Sequence, residues 1–349
     1  MVRLAQLLER YHTAFAAKYD SRLRPGQRRA ISAVRRCRTP AAGELLWGCG
    51  ACAQQLRHPR SCGNRHCPQC QNHEATQWLE RQQAKLLPVE YFMVTFTLPE
   101  QLRTLAWHHQ RLVYTLLLTT ATETLKTFGL NAKALGGELG MTSVLHTHTR
   151  RLDFHPHCHI IIPGGAVNRA RREWRTTRGR YLFNAFALAK MFRARLLAAL
   201  RTEGLTHPAA PEKWVAHCTH VGRGLPALQY LSRYLYRGVI SERHIVREHD
   251  GQVTFRYTES QTGNTCYRTL PAEDFLWLVF QHVLPRGFRR VRDYGFLHGN
   301  AKRLRTLVQW VLQVITASAA PKPRPQPRCP HCRGAMHLIG LSAPALYSG

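Results

Sequence analysis

Apolar residues recur along this chain at two spacings, one typical of helices and one typical of strands. The helical spacing predicts helices at residues 2–19, 25–36, 73–87, 100–128, 183–203, 225–237, 271–282 and 300–316. Runs rich in β-branched and aromatic residues predict strands at residues 89–98, 141–148, 157–162, 213–221, 239–246, 252–258 and 264–270. Because strands and helices are interleaved without regular strand–helix–strand spacing, we expect an α+β fold with a central antiparallel sheet flanked by helices.

The charge of the chain indicates its partner. Its 349 residues include 50 Lys and Arg against 20 Asp and Glu, which gives a formal charge of +30. A surplus of that size is typical of proteins that bind a polyanion, and nucleic acid is the one we expect. No run of about 18 apolar residues and no secretory signal occur, so we expect a cytoplasmic protein with no membrane partner. Because the cytoplasm keeps thiols reduced, the eleven cysteines indicate metal binding rather than disulfides.

Two Cys-x-x-Cys pairs lie close together in the N-terminal part of the chain. Cys49 and Cys52 form the first pair, and Cys67 and Cys70 form the second, with fourteen residues between the pairs. This spacing is typical of a four-cysteine structural Zn²⁺ site, in which each pair holds one edge of a tetrahedron. We therefore predict that these four cysteines bind one zinc ion.

Further cysteines leave the metal count open. Within or beside the same module lie Cys37, Cys62, His66 and His73, which either hold a second ion or simply pack, the two cysteines as small buried thiols. Cys329 and Cys332 follow a proline-rich stretch near the C-terminus and make only half of a site. The alternatives are that His337 adds a ligand, that the tail folds back, or that it is disordered.

A histidine-rich strand is the main candidate for catalytic chemistry. His157 and His159 are two residues apart, so both imidazoles project from the same face of an extended strand. Neutral imidazole is a common metal ligand. His146 on the preceding predicted strand is the preferred third ligand, and His155 and His148 are alternatives. Ligand chemistry favours a transition metal, whereas DNA cleavage favours Mg²⁺ or Mn²⁺.

A tyrosine pair forms the second candidate. Tyr230 and Tyr234 are one helical turn apart and share one face of the predicted helix. Arg233 and Arg237 each follow a tyrosine by three residues, where a guanidinium can hold a phosphate and stabilise a phenolate. Tyr236 turns away from that face, and we expect it to be structural.

These motifs support a family resemblance. The segments HPHCHIIIPGG, starting at residue 155, and YLSRYLYRGVIS, starting at residue 230, resemble the HUH family of single-strand DNA endonucleases. Within it, the chain resembles the two-tyrosine transposases of rolling-circle bacterial insertion sequences. The segments RHCPQCQ, YFMVTFTLP and VRDYGFL strengthen the resemblance, which covers roughly residues 30–300. It implies an HUH-type central sheet preceded by a small helical and zinc-knuckle domain.

The resemblance also implies a mechanism. A divalent ion, Mg²⁺ or Mn²⁺, is held by the histidines, and one tyrosine of the pair attacks single-stranded element DNA. The products are a 5′-phosphotyrosine and a free 3′-OH, and the second tyrosine then acts on a second strand during transfer to target DNA. The arginines support the phosphate. Such an enzyme is expected in the nucleoid of a bacterial cell. Because no GxxxxGK[ST] helicase motif occurs, strand separation depends on host replication or helicase functions, or on supercoiling.

The expected domain organisation has four parts. Residues 1–36 form an N-terminal helical segment and residues 37–75 a zinc-binding module. The nuclease and transposase domain covers residues 88–300, and residues 301–349 contain a helix, a proline-rich linker and a CxxC tail.

Three alternative functions fit parts of the sequence. A plasmid replication initiator or relaxase would use the same chemistry, and the N-terminal zinc module argues against it. A metal-dependent nuclease built on carboxylates would need an acidic constellation, and none stands out among the 20 acidic residues. A non-catalytic zinc-dependent DNA-binding protein would not need intact histidine and tyrosine pairs.

Overall fold

The computed structural model describes residues 2–70, 72–177, 179–236, 239–259, 261–315, 323 and 325–343, with the backbone alone for 233–236. The helices of this described part are α1 (Leu4–Tyr19), α2 (Pro25–Arg36), α3 (Asn72–Gln83), α4 (Arg103–His108), α5 (Gln110–Leu130), α6 (Ala185–Thr202), α7 (Leu225–Tyr236), α8 (Ala272–Phe280) and α9 (Lys302–Val311). Its strands are β1 (Glu44–Cys49), β2 (Gln55–Pro59), β3 (Tyr91–Thr97), β4 (Gly140–His148), β5 (Phe154–Pro163), β6 (Gly165–Asn168), β7 (Glu173–Thr176), β8 (Ala216–His220), β9 (Ile245–His249), β10 (Gln252–Thr258), β11 (Thr265–Pro271), β12 (Val291–Gly295) and β13 (Met336–Leu341).

A five-stranded antiparallel sheet in the order β12-β4-β5-β3-β8 forms the centre of the molecule. Side chains alternate between the two faces of each strand. On β5, Cys158, Ile160 and Ile162 belong to the core on one face, whereas Ile161 packs on the other. The antiparallel sheet with surrounding helices confirms the α+β class.

Helices α5 and α6 cover the first face of the sheet. Their apolar side chains share one core with the inward positions of β3, β4 and β5. Phe96 of β3 and Phe192 of α6 meet there with ring centroids 4.7 Å apart, and both are fully buried. Each such side chain contributes about 1.5–3 kcal/mol of burial energy, so this face anchors the sheet.

Helix α7 lies on the opposite face of the sheet. Its residues Ala227, Leu228 and Leu231 pack against Val144 of β4 and Ile161 of β5. These helix positions are spaced at i, i+1 and i+4, which places them on one side of the helix. Because side chains alternate along β5, His157 and His159 lie on the same face as Ile161. This is the face that α7 covers.

The N-terminal helices belong to a second core. Helices α1 and α2 pack with α8 and with the three-stranded sheet β11-β10-β9. Cys37, Cys67 and Cys70 are buried in this same core. The cysteine-rich module is thus joined to the rest of the protein through a shared apolar interior.

Several boundaries differ from the expected ones. The long helix predicted at 100–128 is interrupted at His109, where φ is −116° and ψ is 44°, outside the helical region. The strand predicted at 239–246 starts at Ile245, because a 3₁₀ turn occupies Glu242–His244. The sequence pattern did not predict the short strands β1, β2, β6, β7, β12 and β13. Within the described residues, no helix is long and apolar enough to cross a membrane.

Candidate active site

Three histidines converge on two neighbouring strands of the central sheet. His146 on β4 is directly opposite His157 on β5, and His159 follows two residues later on the same face. One nitrogen of each ring lies within 4.8 Å of the others, and the ring centroids are 4.5–5.3 Å apart. The structure therefore brings together the three histidines that the sequence selected.

Burial keeps these histidines uncharged. His146 and His159 are only 3% and 8% exposed. Removal from water lowers the pKa of His157 to about 4 and that of His159 to about 3, where the nearby His157 ring adds to the effect. Burial holds the pKa of His146 well below its ordinary value. At neutral pH the imidazoles are unprotonated, which is the state that a metal requires.

Hydrogen bonds fix the orientation of two of the rings. Nδ1 of His157 donates to the carbonyl oxygen of His155 at 2.7 Å. Nδ1 of His159 lies 2.8 Å from Oγ1 of Thr95, its partner across the β3–β5 ladder. In both rings Nε2 is left for a metal ion, and such supporting bonds are typical of metal-binding histidines.

Thr95 is a site residue that the sequence reading did not select. The sequence could have indicated it, because polar Thr95 and Thr97 alternate with apolar residues on β3. Two of these apolar residues, Val94 and Phe96, are buried. The signal that identifies it is a polar residue on the strand next to β5, on the same face of the sheet as the histidines.

Loss of this support should weaken metal binding. Thr95→Val keeps the shape of the side chain but removes the partner of His159, so metal affinity should fall about 10–100-fold. Calorimetric titration of the protein with Mn²⁺ measures this change. Thr219→Val, at an exposed position of the neighbouring strand β8, serves as the control. Equal metal affinity in both variants would show that Thr95 plays no supporting role.

The two alternative ligands have other partners. Nδ1 of His155 lies 2.9 Å from a guanidinium nitrogen of Arg103, which donates to it. His148 donates from Nδ1 to the carbonyl oxygen of Thr149 at 3.1 Å, and its ring lies 5.2 Å from that of His282. Neither belongs to the cluster of converging histidines.

Helix α7 places a tyrosine beside these histidines. The half-buried ring of Tyr230 lies 6.1 Å from the ring of His159 and 6.5 Å from that of His146, measured between centroids. The side chains of Arg233 and Tyr234, and all of Arg237, lie outside the described residues. The structure thus joins one predicted tyrosine to the predicted metal ligands.

A cleft opens next to Tyr230. Its volume is 660 Å³, and its lining comes from the loop after β4, from residues 239–244 and from β10. Among the described residues that line it are three exposed arginines, Arg150, Arg243 and Arg256, and no acidic residue. Tyr257 and Phe255 also line it. The cleft is therefore basic, with aromatic groups in its wall.

The cysteines form two groups rather than the single predicted one. The sulfurs of four cysteines, Cys37, Cys62, Cys67 and Cys70, lie within 4.8 Å of one another, and three of the pairs are separated by 3.5–3.7 Å. Zn–S bonds of about 2.3 Å in a tetrahedron give S–S separations of about 3.8 Å. This group therefore fits Zn²⁺.

The predicted grouping is corrected accordingly. Cys49 and Cys52 lie with Cys329 and Cys332, not with Cys67 and Cys70. The physical reason is that β1, which ends in Cys49, pairs with the C-terminal strand β13, whereas the loop holding Cys67 and Cys70 packs against α1 and α2. His66 is buried but belongs to neither group.

Comparison with known proteins gives the family. The model described as "Transposase zinc-binding domain" matches residues 7–98, and the one described as "Putative transposase" matches residues 140–305. The chain is 33% identical over 330 residues to "Putative transposase y4qJ" of Sinorhizobium fredii (strain NBRC 101917 / NGR234), covering 88% of this chain and 82% of the relative. It is 27% identical over 313 residues to "Transposase for insertion sequence element IS801" of Pseudomonas savastanoi pv. phaseolicola, covering 84% and 74%. No solved structure matches.

These matches describe transposases, a class of enzyme that cleaves DNA. The chain belongs to the family of insertion-sequence transposases that carry this zinc-binding domain. DNA is accordingly its partner, and the matched domain together with the cysteine groups supports structural Zn²⁺. The transposase interpretation of the sequence is confirmed.

Proposed function

We propose that this transposase nicks and rejoins single-stranded ends of its element through a tyrosine–phosphate intermediate. The observation that carries the proposal is the position of Tyr230, whose ring centroid lies 6.1 Å from that of His159. A nucleophile on one helix and a metal-ligand cluster on the sheet beneath it are the two parts that this chemistry needs.

The residues for the metal are His146, His157 and His159. Three neutral imidazoles suit a transition metal such as Mn²⁺ better than Mg²⁺, which prefers oxygen ligands. When bound, a divalent ion supplies Lewis-acid polarisation of the scissile phosphate. The histidines hold one face of the site in place, because they belong to adjacent, paired strands of the central sheet.

The covalent step exchanges one phosphodiester for another. The phenol oxygen of Tyr230 or Tyr234 forms a bond to phosphorus while the bond from phosphorus to the 3′-oxygen breaks. The phenol proton leaves to solvent, and the departing 3′-oxygen takes up a proton to become a free 3′-OH. Because the phosphodiester count is unchanged, rejoining by the reverse step needs no ATP.

We assign the two tyrosines to two different DNA strands. Tyr230 and Tyr234 are one helical turn apart on α7, so they occupy the same side of the helix. One holds the donor end while the other cleaves a second strand. Because an unperturbed phenol has a pKa of about 10, positive charge near the tyrosines favours the attacking phenolate, a role that we assign to Arg233 and Arg237.

The cleft beside Tyr230 supports a single-stranded substrate. Arginines that contact phosphates and aromatic rings on which bases stack are the features of single-strand grooves. Arg150 is also held in place, since its guanidinium donates to the carbonyl oxygen of Thr258 at 3.1 Å. We propose that the strand adjoining the scissile phosphate occupies this cleft.

A charge deletion in the cleft should weaken DNA binding. Arg256→Ala should lower affinity for a single-stranded element-end oligonucleotide and reduce the slope of log K against log salt by about 0.7. Fluorescence anisotropy at several salt concentrations measures both effects. Arg201→Ala, on α6 at the opposite face of the sheet, is the matched control. A similar loss in both variants would argue against a binding role for the cleft.

The proposed chemistry is tested by trapping the intermediate. Incubation with single-stranded element-end DNA and Mn²⁺ should give a covalent protein–DNA adduct on a denaturing gel, and the double variant Tyr230→Phe/Tyr234→Phe should give none. Tyr236→Phe, on the other side of the helix, should leave the adduct unchanged. An undiminished adduct in the double variant would refute the assignment of the nucleophile.

A further inference from the structure

A segment from the N-terminal part of the chain and a segment from its C-terminal part meet in one small module, which we call the terminal ribbon and define as residues 44–59 and 327–342. Strand β1 is its middle strand, with β2 on one side and β13 on the other, both antiparallel. The N–H of Ser342 donates to the carbonyl oxygen of Glu44 at 3.0 Å, which closes the ladder at its far end. Segments almost 300 residues apart thus form one sheet.

Four cysteine sulfurs cluster at the near end of this sheet. Sγ of Cys49 lies 3.5 Å from that of Cys332, and Sγ of Cys52 lies 3.6 Å from that of Cys329. All four sulfurs lie within 4.8 Å of one another. These separations exceed the disulfide bond length of about 2.05 Å and are close to the separation of about 3.8 Å in a tetrahedral zinc site.

The two Cys-x-x-Cys turns have the same backbone geometry. The first cysteine of each pair, Cys49 or Cys329, accepts hydrogen bonds from the backbone N–H groups two and three positions further on. The residue after each pair, Ala53 or Arg333, has a left-handed conformation, with φ of 55° and 60°. Side-chain-bearing residues rarely adopt this conformation. The two turns thus share this unusual conformation at the same position.

Backbone packs directly against two of the sulfurs. At Gly334 a Cβ atom would lie 3.2 Å from Sγ of Cys332 and 3.5 Å from Sγ of Cys49, so the backbone itself packs on the cluster. The buried interior of the ribbon consists of Cys49, Cys329 and Met336. Modules with so small an apolar interior usually depend on a bound metal for folding.

We propose that Cys49, Cys52, Cys329 and Cys332 bind a second structural zinc ion, which fastens the C-terminal segment to the N-terminal module. The matched zinc-binding domain ends at residue 98, so half of this site lies outside it. The ion is separate from the one at Cys37, Cys62, Cys67 and Cys70. Neither the active-site histidines nor the tyrosines take part in it.

Cobalt substitution of the full-length protein counts the thiolate sites. Thiolate-to-cobalt charge-transfer absorption reports cysteine ligation and does not respond to an ion held by histidines alone. We expect Cys329→Ser/Cys332→Ser to halve this absorption and to lower the zinc content by one ion per chain. Cys218→Ser/Cys266→Ser, at cysteines outside both groups, should leave both quantities at the wild-type level. An unchanged signal in Cys329→Ser/Cys332→Ser would overturn the proposal.

A measurement on the unmodified protein covers the case in which that variant fails to fold. Cys332 is exposed, and Cys52 is half-buried. In the zinc-loaded protein both should resist alkylation, and a chelator should raise their rates at least about tenfold, because a metal-bound thiolate is not a free nucleophile. Cys266, half-buried on β11, is the internal control and should react equally in both states. Rapid alkylation of Cys332 before chelation would overturn the proposal.

Discussion

Replacing His159 by alanine should abolish metal-dependent DNA cleavage while single-stranded DNA binding survives. The substitution removes one of three imidazoles whose nitrogens lie within 4.8 Å of one another. Lewis-acid stabilisation of a phosphoryl transition state is worth several kcal/mol, so loss of the ion should lower the cleavage rate by about 10³-fold or more. The basic cleft beside Tyr230 is left unaltered, which is why binding should remain.

The matched control for this variant is His155→Ala. His155 lies two residues from His157 on β5, but its ring accepts a hydrogen bond from Arg103 and is not part of the histidine cluster. Cleavage of a labelled oligonucleotide over a series of Mn²⁺ concentrations, with thermal unfolding of each variant, separates catalysis from folding. Equal loss of cleavage in both variants, or unfolding of His159→Ala, would argue for a structural histidine cluster.

The second large effect concerns stability. Cys67→Ser should release the N-terminal zinc ion and lower the free energy of unfolding by about 4 kcal/mol or more, the range that is typical of losing a structural metal. Cys67 is 1% exposed, and the core around it continues into α1, α2 and α8. Loss of the ion should therefore also loosen the helices that share this core. At about 2–4 °C per kcal/mol, Tm should fall by roughly 10 °C.

Calorimetry and zinc analysis together check this prediction. Cys266→Ser provides the comparison, because Cys266 lies on β11 outside both cysteine groups. It should keep the wild-type Tm and zinc content. A Cys67→Ser protein with unchanged zinc content and unchanged Tm would contradict the assignment of this group as a structural zinc site.

The central sheet and the histidine cluster were predictable because their determinants are local. His146 and His157 lie on consecutive strands joined by a short connection, so pairing of the strands brings the two side chains together. Alternation along β5 then adds His159 to the same face. The position of Tyr230 over this face also follows from pattern, since the apolar side of α7 must cover the apolar part of the sheet.

The grouping of the cysteines was not predictable in the same way. A spacing of fourteen residues between Cys52 and Cys67 satisfies the usual pattern of a four-cysteine site, yet each pair has a different partner. The pairing of β1 with β13 decides the outcome, and both strands are short and separated by almost 300 residues. Local spacing carries no information on such long-range pairing. The incomplete Cys329/Cys332 pair was the available signal that another pair had to join it.

Identification of the residue that carries DNA tests the central claim most directly. The native transposase is incubated with single-stranded element-end DNA and Mn²⁺, digested with a protease, and the nucleotide-bearing peptide is sequenced by mass spectrometry. We predict a DNA 5′-phosphate on Tyr230 or Tyr234 of helix α7. DNA attached to any other residue, or cleavage that proceeds without a covalent protein–DNA species, would contradict the proposed mechanism.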